Sequence, residues 1–474
     1  MESIVAKLDA ALYPAVCSVN TYLSNYILVF LLVAVGLWYS IKTRFVQVRC
    51  FGEGMRRVFG NLTLNGKKHD SGMSSFQALA TAIAAQVGTG NIVGASGAIL
   101  TGGPGAIFWM WVIAFFGMAT IYAEATLAIK TRIKAADGTI HGGPVYYITT
   151  AFKGGFGKFL ATFFAVAIIL ALGFMGCMVQ SNSIAHAMQT AFNVPAAVSG
   201  VVCAVLAGLV FFGGVGRLAS VTEKIVPFMA AIYLIGGLWV IGAHITEVIP
   251  AFRLIFVAAF DPEAVMGGAL GLTVAKAMQF GVARGLFSNE AGMGSTPHAH
   301  AVARVEHPAE QGLVAMFGVF TTVVIVTFTG IVILVTGVLD FKTTGIELTQ
   351  HAYTVGLGSF GMAFVAVCLF FFAFSTIMGW YFFGEQNVRF LFRSRGVLAY
   401  RVIVCAFIVT GAMLKVDFVW SLADLFNGLM VLPNLVALVA LHKVVGESLE
   451  DFEKKLDHYE ERKSENIDDR MQRL

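Results

Sequence analysis

The sequence predicts an all-α integral membrane protein with eleven transmembrane helices: one N-terminal helix, then a core of two five-helix repeats in opposite orientations. Three observations lead to this prediction: the composition, the number of long apolar runs and the placement of basic residues between them. Of the 474 residues, 57% are hydrophobic and 13% are charged, and the mean hydropathy is +0.78. Soluble domains carry about 25% charged residues. We therefore expect much of this apolar surface to face lipid.

Eleven apolar runs are long enough, at about 17 residues or more, to cross a bilayer as helices. They lie at 26–41, 74–100, 105–130, 158–190, 196–215, 225–243, 268–298, 311–337, 359–392, 397–414 and 416–443.

Basic residues collect in alternate loops. The loops after the first, third and ninth runs contain Lys42, Arg44, Arg49, Arg56, Arg57, Lys67, Lys68, Lys130, Arg132, Lys134, Lys153, Lys158, Arg389, Arg393, Arg395 and Arg401. The loops on the other side contain Arg253, Lys342 and Lys415. Because positive charge stays on the cytoplasmic side, we expect the N-terminus outside the cell and the C-terminus in the cytoplasm of a protein of the inner or plasma membrane.

The odd size of each repeat has a topological consequence. Without the first run, ten helices remain as two groups of five, so the second group must be inverted relative to the first. This is the layout of transporters built from inverted repeats. The predicted organisation is an extracellular N-terminus (1–25), a first helix with a basic loop (26–73), two repeats (74–243 and 244–443) and a charged tail (444–474) that is either a solvated helix or disordered.

Several classes of function are not expected. The net charge is +4 with no basic block, so we do not expect nucleic acid as a partner. The six cysteines are scattered singly, which indicates neither a disulfide framework nor a structural metal site. The sequence contains no nucleophile elbow, Walker loop or HExxH motif, so we do not expect an enzyme.

The first helix of each repeat carries residues that interrupt helices. The second run contains AAQVGTGNIVG, with Gln86, Gly88, Thr89, Gly90 and Asn91, and the seventh contains AMQFGVARGLFSNEAGMGS, with Gly281, Gly285, Gly292 and Gly294. We expect the breaks near Gly88 and Gly281, with Gln279 and Phe280 beside the second one. Interrupted helices at matching positions indicate a binding site. The alternative is close helix packing, which would explain Gly94 and Gly97 but not the polar side chains.

The chemistry available at the first interruption is neutral. An unwound backbone offers carbonyl oxygens to a cation and N–H groups to a carboxylate. Residues 72–122 include no Asp, Glu, Lys or Arg. Such a site suits a zwitterion, which brings its own carboxylate.

Three segments resemble the alanine-or-glycine:cation symporter family. They are GGPGAIFWMWVIAFFG at 102–117, GTGNIVG and RGLFSNEAGMGS, and the similarity extends over nearly the whole chain. The resemblance implies a LeuT-type fold of the APC superfamily and sodium-driven uptake of alanine, glycine or a similar small amino acid.

The resemblance also implies two sodium sites. The first would use the Gln86 carbonyl and the Asn91 side chain. The second would join the Ala84 and Val87 carbonyls to the hydroxyls of Ser375 and Thr376. Membrane hydroxyls also commonly bond to their own helix, so that alternative stays open. Lys224, if it reached the second site, would favour coupling to protons.

The predicted substrate site gathers residues from four runs. It consists of Gln86, Gly88, Thr89, Gly90, Asn91, Gln180, Gln279, Phe280, Thr376 and Trp380. A bond from Gln180 to a neighbouring helix is equally compatible with the sequence. Trp380 could limit the size of the substrate or serve ordinary packing.

Charged residues within runs indicate function by default. We interpret Glu124, Arg284, Glu290 and Glu385 as a cytoplasmic gate, with permanent structural ion pairs as the alternative. Lys276 has no predicted role.

The sequence thus predicts sodium-coupled symport of small neutral amino acids into the cell: alanine or glycine, with serine and D-alanine as further candidates. Sodium is the expected coupling ion, the lipid bilayer the surroundings, and neither an organic cofactor nor an oligomer is required. The alternatives are a proton-coupled carrier of the same fold and, more distantly, an amino-acid sensor or channel.

Overall fold

The structure is a computed structural model that describes residues 2–60, 73–135, 138–263, 273–339 and 341–471. Two basic residues of the predicted cytoplasmic loop, Lys67 and Lys68, and the predicted start of the seventh run at 268 lie outside the described residues.

The described chain is almost entirely helical. Its α-helices are α1 (Glu2–Tyr22), α2 (Val29–Lys42), α3 (Val46–Arg49), α4 (Phe51–Gly60), α5 (Ser75–Gln86), α6 (Ala95–Gly102), α7 (Ala106–Thr131), α8 (Pro144–Ala151), α9 (Gly154–Ile168), α10 (Cys177–Phe192), α11 (Ala196–Phe211), α12 (Gly214–Ala243), α13 (Val248–Phe260), α14 (Val274–Asn289), α15 (Pro297–Ala301), α16 (Pro308–Val335), α17 (Gly345–Leu357), α18 (Phe360–Phe392), α19 (Val397–Met413), α20 (Val416–Ala440) and α21 (His442–Met471). Wider π-helical turns occupy Leu23–Leu28, Gly90–Gly94 and Ile169–Gly176, and 3-10 turns occupy Ile245–Glu247 and Arg393–Gly396.

Two pairs of very short strands complete the described chain. Strand β1 (Met73–Ser74) pairs in parallel with β4 (Ala303–Arg304), and β2 (Ile133–Lys134) pairs antiparallel with β3 (Ile140–His141). The first pair joins the segment that precedes α5 to the segment that follows α15, so the starting helices of the two predicted repeats are tied together at one end.

Helical segments lie in every one of the eleven predicted intervals. Among the described residues, seven helical stretches are long and apolar enough to cross a membrane, and the bent pair Ser75–Gln86 with Gly90–Gly102 would be an eighth. The stretch Phe360–Met413 contains two predicted crossings separated by the turn at Arg393–Gly396. Helices α11 and α14 have only 16 residues each. The protein is therefore a multi-pass membrane protein, and eleven crossings with inverted repeats remain a prediction.

Glycines bring α14 and α7 into close contact. A Cβ atom at Gly281 would lie 2.5 Å from the Ala106 carbonyl oxygen, and one at Gly285 would lie 2.5 Å from Cγ2 of Ile113. From the sequence, we expect close packing at Gly94 and Gly97 instead. A Cβ atom at Gly97 would meet no atom within 4 Å. Close packing thus explains Gly281 and Gly285, and it does not explain Gly97.

The charged C-terminal tail is a helix whose first half docks on the protein. Val445, Leu449 and Phe452 of α21 are buried. The Phe452 ring lies between the His307 ring, at 5.4 Å, and the Arg57 guanidinium, at 5.1 Å. Of the two alternatives left by the sequence, helix is correct, but this half of it is packed rather than solvated.

Candidate ion and substrate site

The first interruption lies where the sequence predicts it. Helix α5 starts with a capping box, in which the Gln77 N–H donates to Ser74 Oγ at 3.0 Å and the Ser74 N–H donates to Gln77 Oε1 at 3.2 Å. It ends at Gln86, since Val87 takes φ −96° and ψ 80°. The helix resumes at Gly90 with its axis bent by 48°. The predicted break around Gly88 is confirmed.

The second interruption lies further along the chain than predicted. Helix α14 continues through Gly281 and Gly285 to Asn289. Glu290 then takes φ +57°, Gly292 +88° and Gly294 +77°, and α15 begins at Pro297. The placement of the break near Gly281 was wrong, because the first two glycines of the motif serve packing and only the last two supply left-handed backbone.

The two interruptions contact each other through buried polar groups. Gln86 Nε2 donates to the Asn289 carbonyl at 2.7 Å, and Ser288 Oγ donates to Asn91 Oδ1 at 2.6 Å. Thr329 Oγ1 on α16 donates to the Asn91 carbonyl at 2.9 Å. Backbone groups freed by the breaks are therefore held by side chains from neighbouring helices, as a low-dielectric interior requires.

The ligands predicted for the first sodium site are adjacent. Asn91 Nδ2 donates to the Gln86 carbonyl at 2.6 Å, so the amide nitrogen faces the oxygen that would bind a cation. Ligation by Asn91 requires the amide to turn over. Its nitrogen would then face Ser288 Oγ, and a hydroxyl can accept a hydrogen bond as well as donate one.

Three of the four ligands predicted for the second site also converge: the Ala84 carbonyl and the hydroxyls of Ser375 and Thr376. Thr376 Oγ1 lies 2.9 Å from the Ala84 carbonyl oxygen and 3.3 Å from that of Ala85, and Ser375 Oγ lies 3.4 Å from that of Ala84. Val87 is buried at the end of α5. Both hydroxyls also bond to the Phe372 carbonyl of their own helix, at 2.9 Å and 3.0 Å. Lys224 is exposed to solvent, so its ammonium group does not occupy this site.

Gln180 on α10 reaches the first break. Its Oε1 accepts from the Thr89 N–H at 3.2 Å, and the same oxygen would be 3.2 Å from a Cβ atom at Gly88. Among the described residues, Gln180 Nε2 and Thr89 Oγ1 are buried without a hydrogen-bond partner. The structure shows the bond from Gln180 to a neighbouring helix, and that helix is the broken one; contact with the substrate stays a prediction.

Trp380 forms one wall beside the breaks. Its Nε1 donates to Glu290 Oε1 at 2.6 Å, and its ring meets the Phe287 ring edge-on with centroids 5.5 Å apart. Gly90 approaches the same Phe287 ring, because a Cβ atom there would be 3.0 Å from Cδ1.

Gln279 and Phe280 do not join this cluster. They lie in the first half of α14, about ten residues before the second break, and both are partly exposed. Their predicted position rested on the misplaced break. The residues at the break itself are Phe287, Ser288 and Asn289.

Two predicted gate residues, Glu124 and Glu290, accept hydrogen bonds from groups around the second break. Glu124 on α7 accepts from the backbone N–H groups of Gly292, at 3.0 Å, and Gly294, at 2.9 Å, and from Asn434 Nδ2 at 2.7 Å. Glu290 accepts from Ser295 Oγ and Trp380 Nε1. Both carboxylates are buried.

The other two form ion pairs with residues outside the predicted set. Glu385 pairs with Arg389 at 2.6 Å and with Arg401 at 3.5 Å. Arg284 binds Asp424 of α20 through two hydrogen bonds, at 3.1 and 2.9 Å, and its guanidinium lies 4.7 Å from the centroid of the Trp420 ring. The four charges therefore do not pair with one another, and Arg284 precedes the observed break in the chain.

Sequence reasoning missed five residues here. They are Phe287, Ser288, Asn289, Trp420 and Asp424. A signal for Asp424 was present, since it is an acidic residue within an apolar run and such residues have partners. Phe287 to Asn289 lie within the quoted motif, but nothing in the sequence distinguishes them from Gln279 and Phe280.

Comparisons with known proteins place the chain among membrane transporters. The model of the family described as the sodium:alanine symporter family matches residues 9–466. An uncharacterized transporter of Haemophilus influenzae is 43% identical, over 97% of this chain and 98% of its own. The sodium/alanine symporter AgcS of Methanococcus maripaludis is 40% identical, over 90% of this chain and 94% of its own.

A solved structure shares the fold. The crystal structure of a mutant manganese transporter of Eremococcus coleocola superposes with a TM-score of 0.50 at 14% identity, covering 80% of this chain and 81% of that one.

Proposed function

The chain belongs to the sodium:alanine symporter family, and from this premise we propose that it couples the inward transport of small neutral amino acids, alanine foremost, to sodium. Glycine, serine and D-alanine are the further candidate substrates. The protein is a multi-pass protein of the cell membrane, and the proposal adds an extracellular N-terminus and a cytoplasmic C-terminus.

The observation that carries the proposal is the contact between two interrupted helices. Buried hydrogen bonds join the two breaks, and they involve Gln86 and Asn91 on one side and Ser288 and Asn289 on the other. The groups that make this contact are amides, a hydroxyl and backbone carbonyls, which suit a hard monovalent cation. A substrate that carries its own positive and negative charges needs no charged side chain there.

Sodium would bind at two places in this proposal. The Gln86 carbonyl and the turned Asn91 amide form the first, and the hydroxyls of Ser375 and Thr376 with the Ala84 and Val87 carbonyls form the second. In the second site, the converging distances of 2.9 to 3.4 Å to the Ala84 oxygen support a cation among these oxygens.

The substrate carboxylate would meet the start of the second half-helix. Thr89 and Gly90 begin that half-helix, whose N-terminal N–H groups favour an anion. The unpartnered Gln180 Nε2 is a further donor. Phe287 and Trp380 would enclose a small side chain, so glycine, alanine and serine should overlap as substrates, because one methylene changes discrimination by about 1–3 kcal/mol.

Access from outside would be controlled by Arg284 and Asp424. In the predicted orientation, α14 and α20 both run from the outside inwards, so this ion pair lies on the outer side of the second break. The rings of Trp420 and Phe287 lie between this ion pair and Trp380. The centroid of the Phe287 ring is 4.8 Å from that of Trp420 and 5.5 Å from that of Trp380. These side chains would have to separate for the substrate to reach the break.

Uptake of labelled alanine into proteoliposomes tests the proposal. Purified protein is reconstituted, and an inward sodium gradient or an inward proton gradient is imposed separately. We expect uptake to follow the sodium gradient and to saturate with alanine. Unlabelled glycine and serine should compete, and leucine should not.

The opposite results identify the alternatives. Uptake that follows the proton gradient and ignores sodium would establish a proton-coupled carrier. Flux that rises linearly with alanine without saturation would indicate a channel. Saturable alanine binding without any uptake would indicate a sensor.

A further inference from the structure

We infer that Glu290 is a positioning residue that sets the size limit of the transported amino acid by holding the Trp380 ring in place. This inference rests on the proposed function, and it assigns to Glu290 a role other than the gate suggested by the sequence.

The contact between the two residues is short and fully enclosed. Trp380 Nε1 donates to Glu290 Oε1 at 2.6 Å, and Ser295 Oγ donates to the other carboxylate oxygen. Glu290 is 0% exposed and Trp380 is 1% exposed. The indole has a single N–H donor, so a bond from it to Glu290 fixes the direction in which this side of the ring points.

The backbone makes Glu290 a rigid support. It adopts φ +57°, which is uncommon for a residue with a side chain, and its N–H closes the last turn of α14 on the Leu286 carbonyl at 2.8 Å. Two residues later, Glu124 binds the Gly292 and Gly294 N–H groups. The loop is thus anchored on both sides of Glu290, and the carboxylate cannot easily follow a displaced ring.

The remaining sides of the Trp380 ring are confined by neutral groups. A Cβ atom at Gly176 would lie 2.5 Å from Cε3 of the ring, so only glycine leaves room there. The Phe287 ring contacts it edge-on. These contacts restrict where the ring can lie, and the hydrogen bond to Glu290 adds a fixed direction for its N–H.

The ring lies next to groups that line the expected substrate site. Trp380 lies one helical turn after Thr376 on α18, and Thr376 Oγ1 is in direct contact range of Gly88. Phe287, which packs on the ring, approaches Gly90 from the other helix. A ring that turns away would enlarge the space beside Gly88 and Gly90, so larger side chains would fit.

The test compares substrate ranges, which a purely structural role would not change. Uptake of labelled alanine is measured with glycine, serine, valine and leucine as competitors, in wild type, Glu290→Gln, Glu290→Leu and Trp380→Phe. We expect Glu290→Gln to keep the wild-type range, because its amide oxygen accepts from the indole and its nitrogen donates to Ser295 Oγ. Glu290→Leu and Trp380→Phe should each improve competition by valine and leucine about tenfold.

A double variant separates positioning from other effects. If Glu290 acts through the ring, Glu290→Leu combined with Trp380→Ala should admit no larger substrates than Trp380→Ala alone. Glu385→Gln is the matched control. Glu385 is a buried carboxylate on the same helix as Trp380, but it pairs with arginines and not with the ring. Its replacement should leave the substrate range unchanged.

Two results would overturn the inference. One is a folded Glu290→Leu variant with the substrate range of the wild type. The other is a Trp380→Phe variant with that same substrate range, and this second result decides the question if Glu290→Leu does not fold. Failure of the proposed function is distinguishable from both, because the wild type would then take up no alanine with sodium.

Discussion

At the scale of single residues, Thr376 has the most contacts that a sodium site would use. Its hydroxyl lies close to carbonyl oxygens of α5 as well as to the Phe372 carbonyl of its own helix. A hydroxyl whose only role was to bond to a carbonyl of its own helix would not need further carbonyl oxygens from a neighbouring helix. The contacts across helices are therefore what favour ion binding over the local alternative.

Replacement of Thr376 by valine should raise the sodium concentration needed for half-maximal alanine uptake, because it removes one ion ligand. We expect a rise of about tenfold, which corresponds to about 1.4 kcal/mol of lost binding free energy. Valine keeps the branched shape and removes the oxygen. The measurement is the sodium dependence of alanine uptake in proteoliposomes.

Thr410→Val is the control for this prediction. The Thr410 hydroxyl is exposed and bonds to the Ala406 and Phe407 carbonyls of its own helix. Its loss should leave the sodium dependence unchanged. Wild-type sodium dependence in Thr376→Val as well would remove Thr376 from the ion site.

At the scale of elements, the bend between α5 and α6 depends on Gly88. A Cβ atom there would overlap Thr376 Oγ1 and lie 3.0 Å from the Thr376 Cβ atom. Two helices can approach this closely only where one of them has no side chain.

Gly88→Ala should therefore push α5 away from α18. We expect the protein to fold but the rate of sodium-coupled alanine uptake to fall by at least about tenfold. Gly97→Ala, in the other half of the same broken helix, meets no atom within 4 Å and should transport like wild type. Thermal unfolding in detergent distinguishes lost function from lost fold. Wild-type uptake by Gly88→Ala would show that the close approach is not needed.

The two breaks differ in how far the sequence could predict them. The first was predictable because Gln86, Thr89 and Asn91 bring polar groups into an apolar run, where only a break explains them. The second was placed too early, since four glycines share one motif and only backbone angles separate Gly281 and Gly285 from Gly292 and Gly294.

Contacts between helices were the least predictable part of the site. The pair Arg284–Asp424 joins residues 140 positions apart, and no pattern within a single helix indicates which distant residue it meets. The Glu290–Trp380 hydrogen bond is of the same kind. Sequence periodicity gives the face of a helix but not its neighbour.

At the scale of the whole molecule, the Arg284–Asp424 pair is expected to close the outer side of the site. Asp424→Ala should therefore open it. The test uses a variant in which the six native cysteines are replaced and Ser288→Cys supplies a single thiol. A thiol reagent that cannot cross membranes is added from outside, and Asp424→Ala should make this thiol react about tenfold faster. A tenfold shift of the closed population corresponds to a lost ion pair of about 1.4 kcal/mol.

Asp417→Ala is the control, since Asp417 is an exposed acid at the start of the same helix. It should not change the labelling rate. Equal labelling rates with and without the Asp424 carboxylate would contradict the gate, and labelling only from inside would contradict the predicted orientation.

The C-terminal helix is the second feature of the whole molecule that can be tested. Phe452 is buried against α4 and the segment before α16, and Glu453 pairs with Arg49 at 2.6 Å. Phe452→Ala should undock α21 and speed tryptic cleavage at Lys454 and Lys455 at least about tenfold, because truncating a buried phenylalanine costs about 3–5 kcal/mol. Glu450→Ala, at an exposed position of the same helix, should be cleaved like wild type, and equal rates for both variants would contradict docking.

The central claim is that an ion and a zwitterion bind together where two interrupted helices meet, and equilibrium binding tests it most directly. Labelled alanine is titrated onto purified protein in detergent at a series of sodium concentrations, and sodium binding is measured with and without alanine. The claim predicts that sodium strengthens alanine binding and that alanine strengthens sodium binding by the same factor. An alanine affinity that stays constant from zero to saturating sodium would contradict it.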